Sequence, residues 1–371
     1  MPSYRLRFKG CAHNSTEYRN QTNNYVINLD QPPKQRWIAL VMDYKKEISD
    51  LIENIKKNVD DLFGAKLIQL VEVYMPYLAK TLPKIYYEEM VGISEAIDTQ
   101  LGEVVLYNLF YEFFSVCTSV IVESPSGSIY HGRNLDFGLF MGWSVKNKTW
   151  VTSNFLRKMV VTLDFQKNGT TIYKSVNFAG YIGILTGMKP NIFSFSVNER
   201  FRLNGGFVGI TEWIIGFRHQ NWLAVLTREV MEQAKTYTSA QKMLSNPKLV
   251  APVYFILAGT KSSQGCIITR GRGSFDLWRI GEKRYRQNGT WYQVQTNYDH
   301  WKNPPFYDDR QFPAEFCIEE LGQDDPVKTL QGVLSTRPVL NKLTIYSAVM
   351  QASSGKLDMW LQDCNDPCWP W

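Results

Sequence analysis

Apolar residues recur at three- and four-residue steps through KQRWIALVMDYKKEISDLIENIKKNVDDLFG (34–64), where Trp37, Leu40, Val41, Tyr44, Ile48, Leu51, Ile52 and Ile55 form one stripe. That spacing predicts an amphipathic helix, with Gly64 as its stop. Similar steps predict helices over 66–80 and 86–97. The run VVLYNLFYEFFSV (104–116) is apolar on nearly every face and reads as a buried helix. From Cys117 onward the pattern changes to short stretches of β-branched and aromatic residues between Gly, Asn and Pro. CTSVIVE, SIYHGRN, KMVVTLDFQ, TTIYKSVNF, IFSFSVNE, VYFILAG, GCIITR, TWYQVQTN and LTIYSAVMQ read as strands. PSG (125–127) and KNG (167–169) read as hairpin turns, and helices are expected within 210–245 and 313–335. No repeat or low-complexity linker separates the halves, so the change near 116 reads as a seam within one fold.

Composition narrows the class. With 371 residues, 44% of them hydrophobic and 20% charged, the chain has enough apolar material for one large core or two ordinary ones. Its 41 basic and 35 acidic residues are scattered, with no basic run, which argues against nucleic acid as a partner. The excess of six positive charges gives a mild preference for anionic surfaces such as membranes. No apolar stretch approaches the length of a membrane span, and MPSYRLRFKGCAHNSTEYRN lacks the apolar centre of a signal peptide, which is expected to be absent from this chain. Two features still point to the secretory route. Asn14, Asn20, Asn147, Asn168 and Asn288 each open a glycosylation sequon, and the tail DCNDPCWPW brings Cys364 and Cys368 together around an Asp-Pro turn suited to a disulfide. The four histidines show no ligand spacing with that pair, so no metal site is expected.

Cys117 stands at the seam itself. A thiol attacks only as its thiolate, and its ordinary pKa of about 8.5 calls for a base or a positive field. His131 is near in sequence, but Cys-His sites draw on distant residues, so proximity alone decides nothing. A second solution makes the residue's own α-amine the base, which requires a cut between Val116 and Cys117. A nucleophile that opens a strand after a detachable helical segment is what such a cut would leave.

The motifs CTSVIVESPSGSIYHGRNLDFGLFMGW, FAGYIGILTGMKP, SVNERF, QTNYDHW, FYDDR and DCNDPC, taken in order from about residue 27 to the end, resemble the acid ceramidase family. The resemblance implies an α+β fold of the N-terminal nucleophile hydrolase kind, a four-layer αββα sandwich. It implies autocleavage into a mainly helical α chain (1–116) packed on a catalytic β chain (117–371). Cys117 matches the nucleophile, and Arg133 and Asp136 match the pair that tunes its thiol and amine. Glu199, Arg200, Asn297 and Arg310 match residues lining the site, where the Asn297 amide is expected as an oxyanion donor. Arg133 and Arg310 add positive field, which favours thiolate and disfavours a charged amine. That matters because a free α-amine with pKa about 8 would be only about 0.1% neutral near the acidity of a lysosome. The resemblance also pairs Cys11 with Cys317, tying the two chains together after the cut; Cys266, in the strand-like apolar GCIITR, is expected as a buried unpaired thiol.

The implied reaction is lysosomal hydrolysis of the N-acyl bond of ceramide through a Cys117 thioester, with no cofactor. Secretion is a second destination, and a saposin-type activator an implied partner. The 104–116 helix could offer a lipid-facing patch. The nearest rival is the N-acylethanolamine acid amidase family, which shares the HGRNLD and TNYDHW wording; DFGLFMGW, NERF and DCNDPC favour the ceramidase side. A lipid-binding glycoprotein that kept the fold and lost catalysis finds no support, because every matched site residue is present; a failure of processing would revive it. A papain-like arrangement lacks its cysteine context. DDRQFPAE departs from the family form at Gln311 and Phe312, which leaves the wall beside Arg310 open.

Overall fold

In the computed structural model the described residues are 8–12, 22–63, 74–110, 115–138, 142–201, 208–209, 212–213, 216, 218–283 and 290–368. Two sheets carry the architecture. The larger runs in the order β1 (Asn24–Asn28), β6 (Val160–Lys167), β7 (Thr170–Phe178), β8 (Thr186–Lys189), β9 (Phe193–Glu199), β10 (Val253–Ala258), β11 (Gly265–Arg270) and β12 (Phe275–Arg279). The smaller runs β13 (Tyr292–Gln295), β2 (Ser115–Glu123), β3 (Ile129–Phe137), β14 (Thr344–Gln351) and β15 (Lys356–Leu361). A short hairpin, β4 (Trp143–Ser144) with β5 (Thr149–Trp150), stands apart.

The smaller sheet is covered on both faces, so alternation along its strands sorts two buried sides. On one, Val120, Val122 and Val349 pack with Ala314, Cys317, Ile318, Leu330 and Val333 of the helices Gln311–Leu321 and Pro326–Ser335. On the other, Cys117, Ser119, His131 and Arg133 face the larger sheet, bonding to it through Asn198, Ser194, Ser196, Leu185 and Val197. Helices close the far side of the larger sheet. Lys189 at the end of β8 donates to the carbonyls of Met231, Glu232 and Ala234, capping the helix Leu223–Gln233, and Tyr107 of the helix Leu101–Phe110 donates to Ala179. The result is the four-layer αββα sandwich.

Several expectations change in detail. The stripe at 34–64 is two helices, Ile38–Asp43 and Lys45–Phe63, divided at Tyr44, whose φ of −113° leaves the helical range; Gly64 lies outside the described residues. The expected helix 66–80 is described only from 74, and 86–97 becomes Lys84–Ile97. NYVIN, inside the stretch read as helical, forms β1 and pairs parallel with β6, so the segment before the seam adds a strand to the sandwich as well as helices. The helix expected to reach 116 gives way to β2, already strand at Ser115. Cys117 is therefore the third residue of a strand. The cause is the alternation continuing backward: Val116 shares a face with Val120 and Val122, while Cys117 shares one with Ser119. Val104, Val105, Tyr107 and Leu109 are buried in the main core, so the described part of that helix turns its apolar side chains inward.

Within 210–245 the long helices are Leu223–Gln233 and Tyr237–Ser245, the second begun by a reciprocal Thr236/Ser239 cap. The 313–335 region is likewise split, at Gly322 (φ +76°), before Asp325 caps the next helix. The KNG turn carries Asn168 at φ +50° and Gly169 at φ +68°, as a tight hairpin requires. Asn147 and Asn168 are exposed; Asn14, Asn20 and Asn288 lie outside the described residues. Both expected disulfides, Cys11–Cys317 and Cys364–Cys368, are formed, and Cys117 and Cys266 are buried free thiols. Among the described residues no helix is long and apolar enough to cross a membrane, and no His/Cys/Asp/Glu group could hold a metal.

Candidate active site

Strand β13 stops pairing with β2 at Gln295↔Ser119. One antiparallel step further, the N–H and C=O of Cys117 point at the side where a strand has ended, and each must find another partner. Asn297 supplies one: its Oδ1 accepts from Cys117 N at 2.8 Å. Arg310 supplies the other, donating to Cys117 O at 2.6 Å and to Thr118 Oγ1 at 3.0 Å. The same guanidinium reaches Asn297 Oδ1 at 2.9 Å and is gripped by Asp308 at 2.8 and 3.1 Å. Asn297 thus presents its carbonyl oxygen to Cys117, while its Nδ2 donates to Glu199 O at 2.8 Å.

The thiol faces the other layer. Arg133, buried between the sheets, donates from Nη2 to Cys117 Sγ at 2.7 Å and to Val197 O at 2.9 Å, and from Nη1 to Leu185 O and Thr186 Oγ1, both at 2.7 Å. Thr186 in turn bonds Tyr346 Oη at 2.7 Å. Burial pushes the Cys117 thiol upward, and Arg133 opposes it. Asp136, three residues along β3, points away from Arg133. Its partners are Asn341 Nδ2 at 2.9 Å and Arg310 Nη1 at 3.7 Å, and its Oδ1 is buried without a hydrogen bond. Arg133 and Asp136 therefore flank Cys117 from opposite faces of the sheet. Burial raises the Asp136 carboxyl to about 6, against the pull of Arg310.

The remaining expected residues divide. Glu199 contributes its backbone carbonyl to Asn297. Arg200 sits in a neighbouring knot, bonded to Asp299 at 2.6 Å and to Arg270 O at 3.1 Å, with Tyr254 also donating to Asp299. The departure at Gln311 and Phe312 turns away from the thiol: Gln311 bonds Glu315, and the Phe312 ring packs against Phe8 and Phe316 beside the Cys11–Cys317 bridge. Thr186, Tyr346 and Asn341 touch Cys117's partners, yet in sequence they are an ordinary threonine, strand tyrosine and loop asparagine. His131 is no base for Cys117. Its ring lies between Ser194 at 3.2 Å and Ser196 at 2.9 Å, and burial drives its pKa down to about 3.

Two of these shifts pull acid stability in opposite directions. The unfolded chain protonates His131 near 6.5 and the folded one only near 3, so its contribution is complete above 6.5 and is lost as pH falls toward 3. Asp136 moves from 3.8 to about 6, so its contribution is complete below 3.8 and is lost as pH rises through 6. Between 6 and 3.8 the slopes offset. Asp136→Asn removes one of them, and its stability relative to wild type is expected to fall by roughly 1 kcal/mol per pH unit on acidification through that window. Denaturant titrations at stepped pH measure this; parallel curves for the two proteins would contradict it.

The family described as linear amide C–N hydrolases, choloylglycine hydrolase family, matches residues 117–315, starting at Cys117 itself, and the beta subunit of N-acylethanolamine-hydrolyzing acid amidase matches residues 21–82. The protein is thus an amidohydrolase with an N-terminal nucleophile hydrolase fold. Acid ceramidase of Balaenoptera acutorostrata scammoni is 46% identical over 358 residues, covering 95% of this chain and 89% of that protein; the Homo sapiens enzyme is 45% identical over the same spans. A solved structure, the Caenorhabditis elegans N-acylethanolamine-hydrolyzing acid amidase ortholog, superposes with a TM-score of 0.55 at 31% identity over 66% of this chain and all of that one. The chain belongs to the acid ceramidase family.

Proposed function

We propose that this chain is a lysosomal amidase that hydrolyses the N-acyl bond of ceramide to sphingosine and a free fatty acid, activated by cleavage of its own Val116–Cys117 bond. One observation carries the reading: every polar atom of Cys117 is individually held, Sγ by Arg133, N by Asn297 and O by Arg310. A structural cysteine has no need of two buried arginines.

In the uncut chain Cys117 Sγ attacks the Val116 carbonyl carbon. The peptide C–N bond breaks as the acyl group passes to sulfur, the nitrogen takes the thiol proton, and water hydrolyses the thioester. A Val116 carboxylate and a Cys117 α-amine result. That amine keeps Asn297 Oδ1 as acceptor, which leaves its lone pair for the thiol proton of the next cycle. Arg133 and Arg310 disfavour its charged form and so lower its pKa. With ceramide, Sγ attacks the acyl carbon, the amine returns a proton to the leaving sphingosine nitrogen, and water releases the fatty acid. The bilayer supplies the substrate, either directly at an anionic surface or through a saposin-type carrier. Exposed Asn147 and Asn168 suit glycans of the lysosomal route.

Acidified wild-type protein should acquire a new terminus beginning Cys-Thr-Ser and then release fatty acid from ceramide, whereas Cys117→Ala does neither. A wild-type chain that stays intact while folded would defeat the reading. The likeness to N-acylethanolamine-hydrolyzing acid amidase makes fatty acid ethanolamides the second substrate class, and the ratio of kcat/KM values decides between them. After the cut, the Cys11–Cys317 bridge joins the two pieces. Denaturing gels should therefore show one band without reductant and two with it; two bands in both lanes would exclude the link.

A further inference from the structure

Three consecutive residues of β9 reach the groups that hold Cys117. Val197 O accepts from Arg133, the partner of the thiol, at 2.9 Å, and Glu199 O accepts from Asn297, the partner of the nitrogen, at 2.8 Å. Between them the fully buried Asn198 turns its side chain into the layer between the sheets. Its Nδ2 donates to Gln295 O at 2.8 Å and Thr296 O at 3.3 Å, the two carbonyls immediately before Asn297, where β13 has stopped pairing with β2. Its Oδ1 accepts from Ser119 Oγ at 2.8 Å.

Donor counting fixes which way the amide faces: Gln295 O and Thr296 O can only accept, so they must meet the Asn198 nitrogen, which leaves its oxygen for Ser119. Ser119 Oγ gives its only proton to Asn198 and accepts from Ser196 Oγ at 2.8 Å. Ser196, its proton spent, can only accept from His131 Nε2 at 2.9 Å, which leaves Nδ1 to take the proton of Ser194. Every donor runs one way, from His131 through Ser196 and Ser119 to the Asn198 oxygen. That direction follows from the Asn198 nitrogen facing β13, where both of its protons are used.

We propose that Asn198 is a positioning residue for amide hydrolysis: braced by Ser119, it anchors the end of β13 so that Asn297 Oδ1 meets the nitrogen of Cys117. This rests on the reading of Cys117 as nucleophile. It assigns to Asn198 a part in proton transfer through the amine and none in substrate binding or in the Arg133–thiol contact. Misplacement of a group by about an ångström costs up to about a hundredfold in rate.

The experiment compares Asn198→Asp and Ser119→Ala with wild type and Cys117→Ala, following the rate of the 116–117 cut, kcat and KM of the matured enzyme on ceramide, and alkylation of Cys117 by iodoacetamide. The isosteric aspartate loses both donors to β13. It is expected to slow the cut and lower kcat by about tenfold or more, with KM within about twofold and alkylation near wild type. Ser119→Ala keeps both donors but leaves the buried Asn198 oxygen without its partner and the side chain less firmly braced, and should lower kcat by about threefold at unchanged KM. Wild-type kcat in Ser119→Ala overturns the assignment even where Asn198→Asp does not fold. A fall in alkylation as large as the fall in kcat also overturns it, since the whole site would then have collapsed. Full activity in Cys117→Ala would instead defeat the underlying reading, whatever Asn198 does.

Discussion

Arg133→Gln is expected to lower amide hydrolysis by roughly a thousandfold and to push alkylation of Cys117 to higher pH. The thiol is fully buried, and burial alone favours its neutral form. Arg133 is the foremost influence opposing that, through its charge and its 2.7 Å hydrogen bond. Glutamine is neutral and too short to span Leu185 O, Val197 O and Sγ together. Lysine would keep the charge but not the planar fork that meets Leu185, Thr186 and Val197 at once, so Arg133→Lys should recover only part of the loss. Alkylation rates against pH, with thermal unfolding as a control, separate a lost field from a lost fold. A glutamine variant that keeps wild-type rate and thiol reactivity would remove Arg133 from the mechanism.

Much of this site was legible before any coordinates. Cys117, Arg133, Asp136, Asn297 and Arg310 fall in motifs whose order is itself the signal, and all five converge. What the sequence hid is direction. Arg133 and Asp136 differ by three residues on a strand, an odd number, so they leave the sheet on opposite faces, and Asp136 pairs with Asn341, 205 positions away. Which amide atom of Asn297 faces Cys117 follows from where β13 ends, a tertiary fact. Asn198 lies inside SVNERF, where nothing but the fold distinguishes its amide from the charged Glu199 and Arg200 beside it. In the fold, strands dense in β-branched residues were readable, and alternation placed most of them within two residues. Short β8 and peripheral β12 and β15 carry little such signal. β1 was obscured by helical neighbours, because its strand state depends on β6, more than 130 residues downstream.

Glu89→Gln is expected to cost about 3–5 kcal/mol of stability, the largest effect of any single change outside the site. The Glu89 carboxylate has no exposure and accepts four hydrogen bonds. Oε1 takes Arg36 Nη1 at 3.0 Å and Arg228 Nη2 at 3.1 Å, while Oε2 takes Trp37 Nε1 at 2.9 Å and Arg228 Nη1 at 3.0 Å. Arg228 is equally buried, braced by Glu232, Ile182 O and the Phe165 ring at 5.0 Å. An amide keeps the shape but removes the charge opposite two guanidiniums and turns an acceptor into a donor facing donors. Removing both buried partners costs less than removing one, so Glu89→Met with Arg228→Met should recover more than half of the loss. Chemical denaturation in a Cys117→Ala background, which keeps the chain whole, measures both; a glutamine variant within about 1 kcal/mol of its parent would show the network to be dispensable. The network also bears on the proposed cut. Arg36, Trp37 and Glu89 precede residue 116, and Phe165, Ile182 and Arg228 follow it. Reduction of Cys11–Cys317 under native conditions should therefore leave the two pieces of matured wild type together on a sizing column, whereas the Glu89→Gln pieces separate.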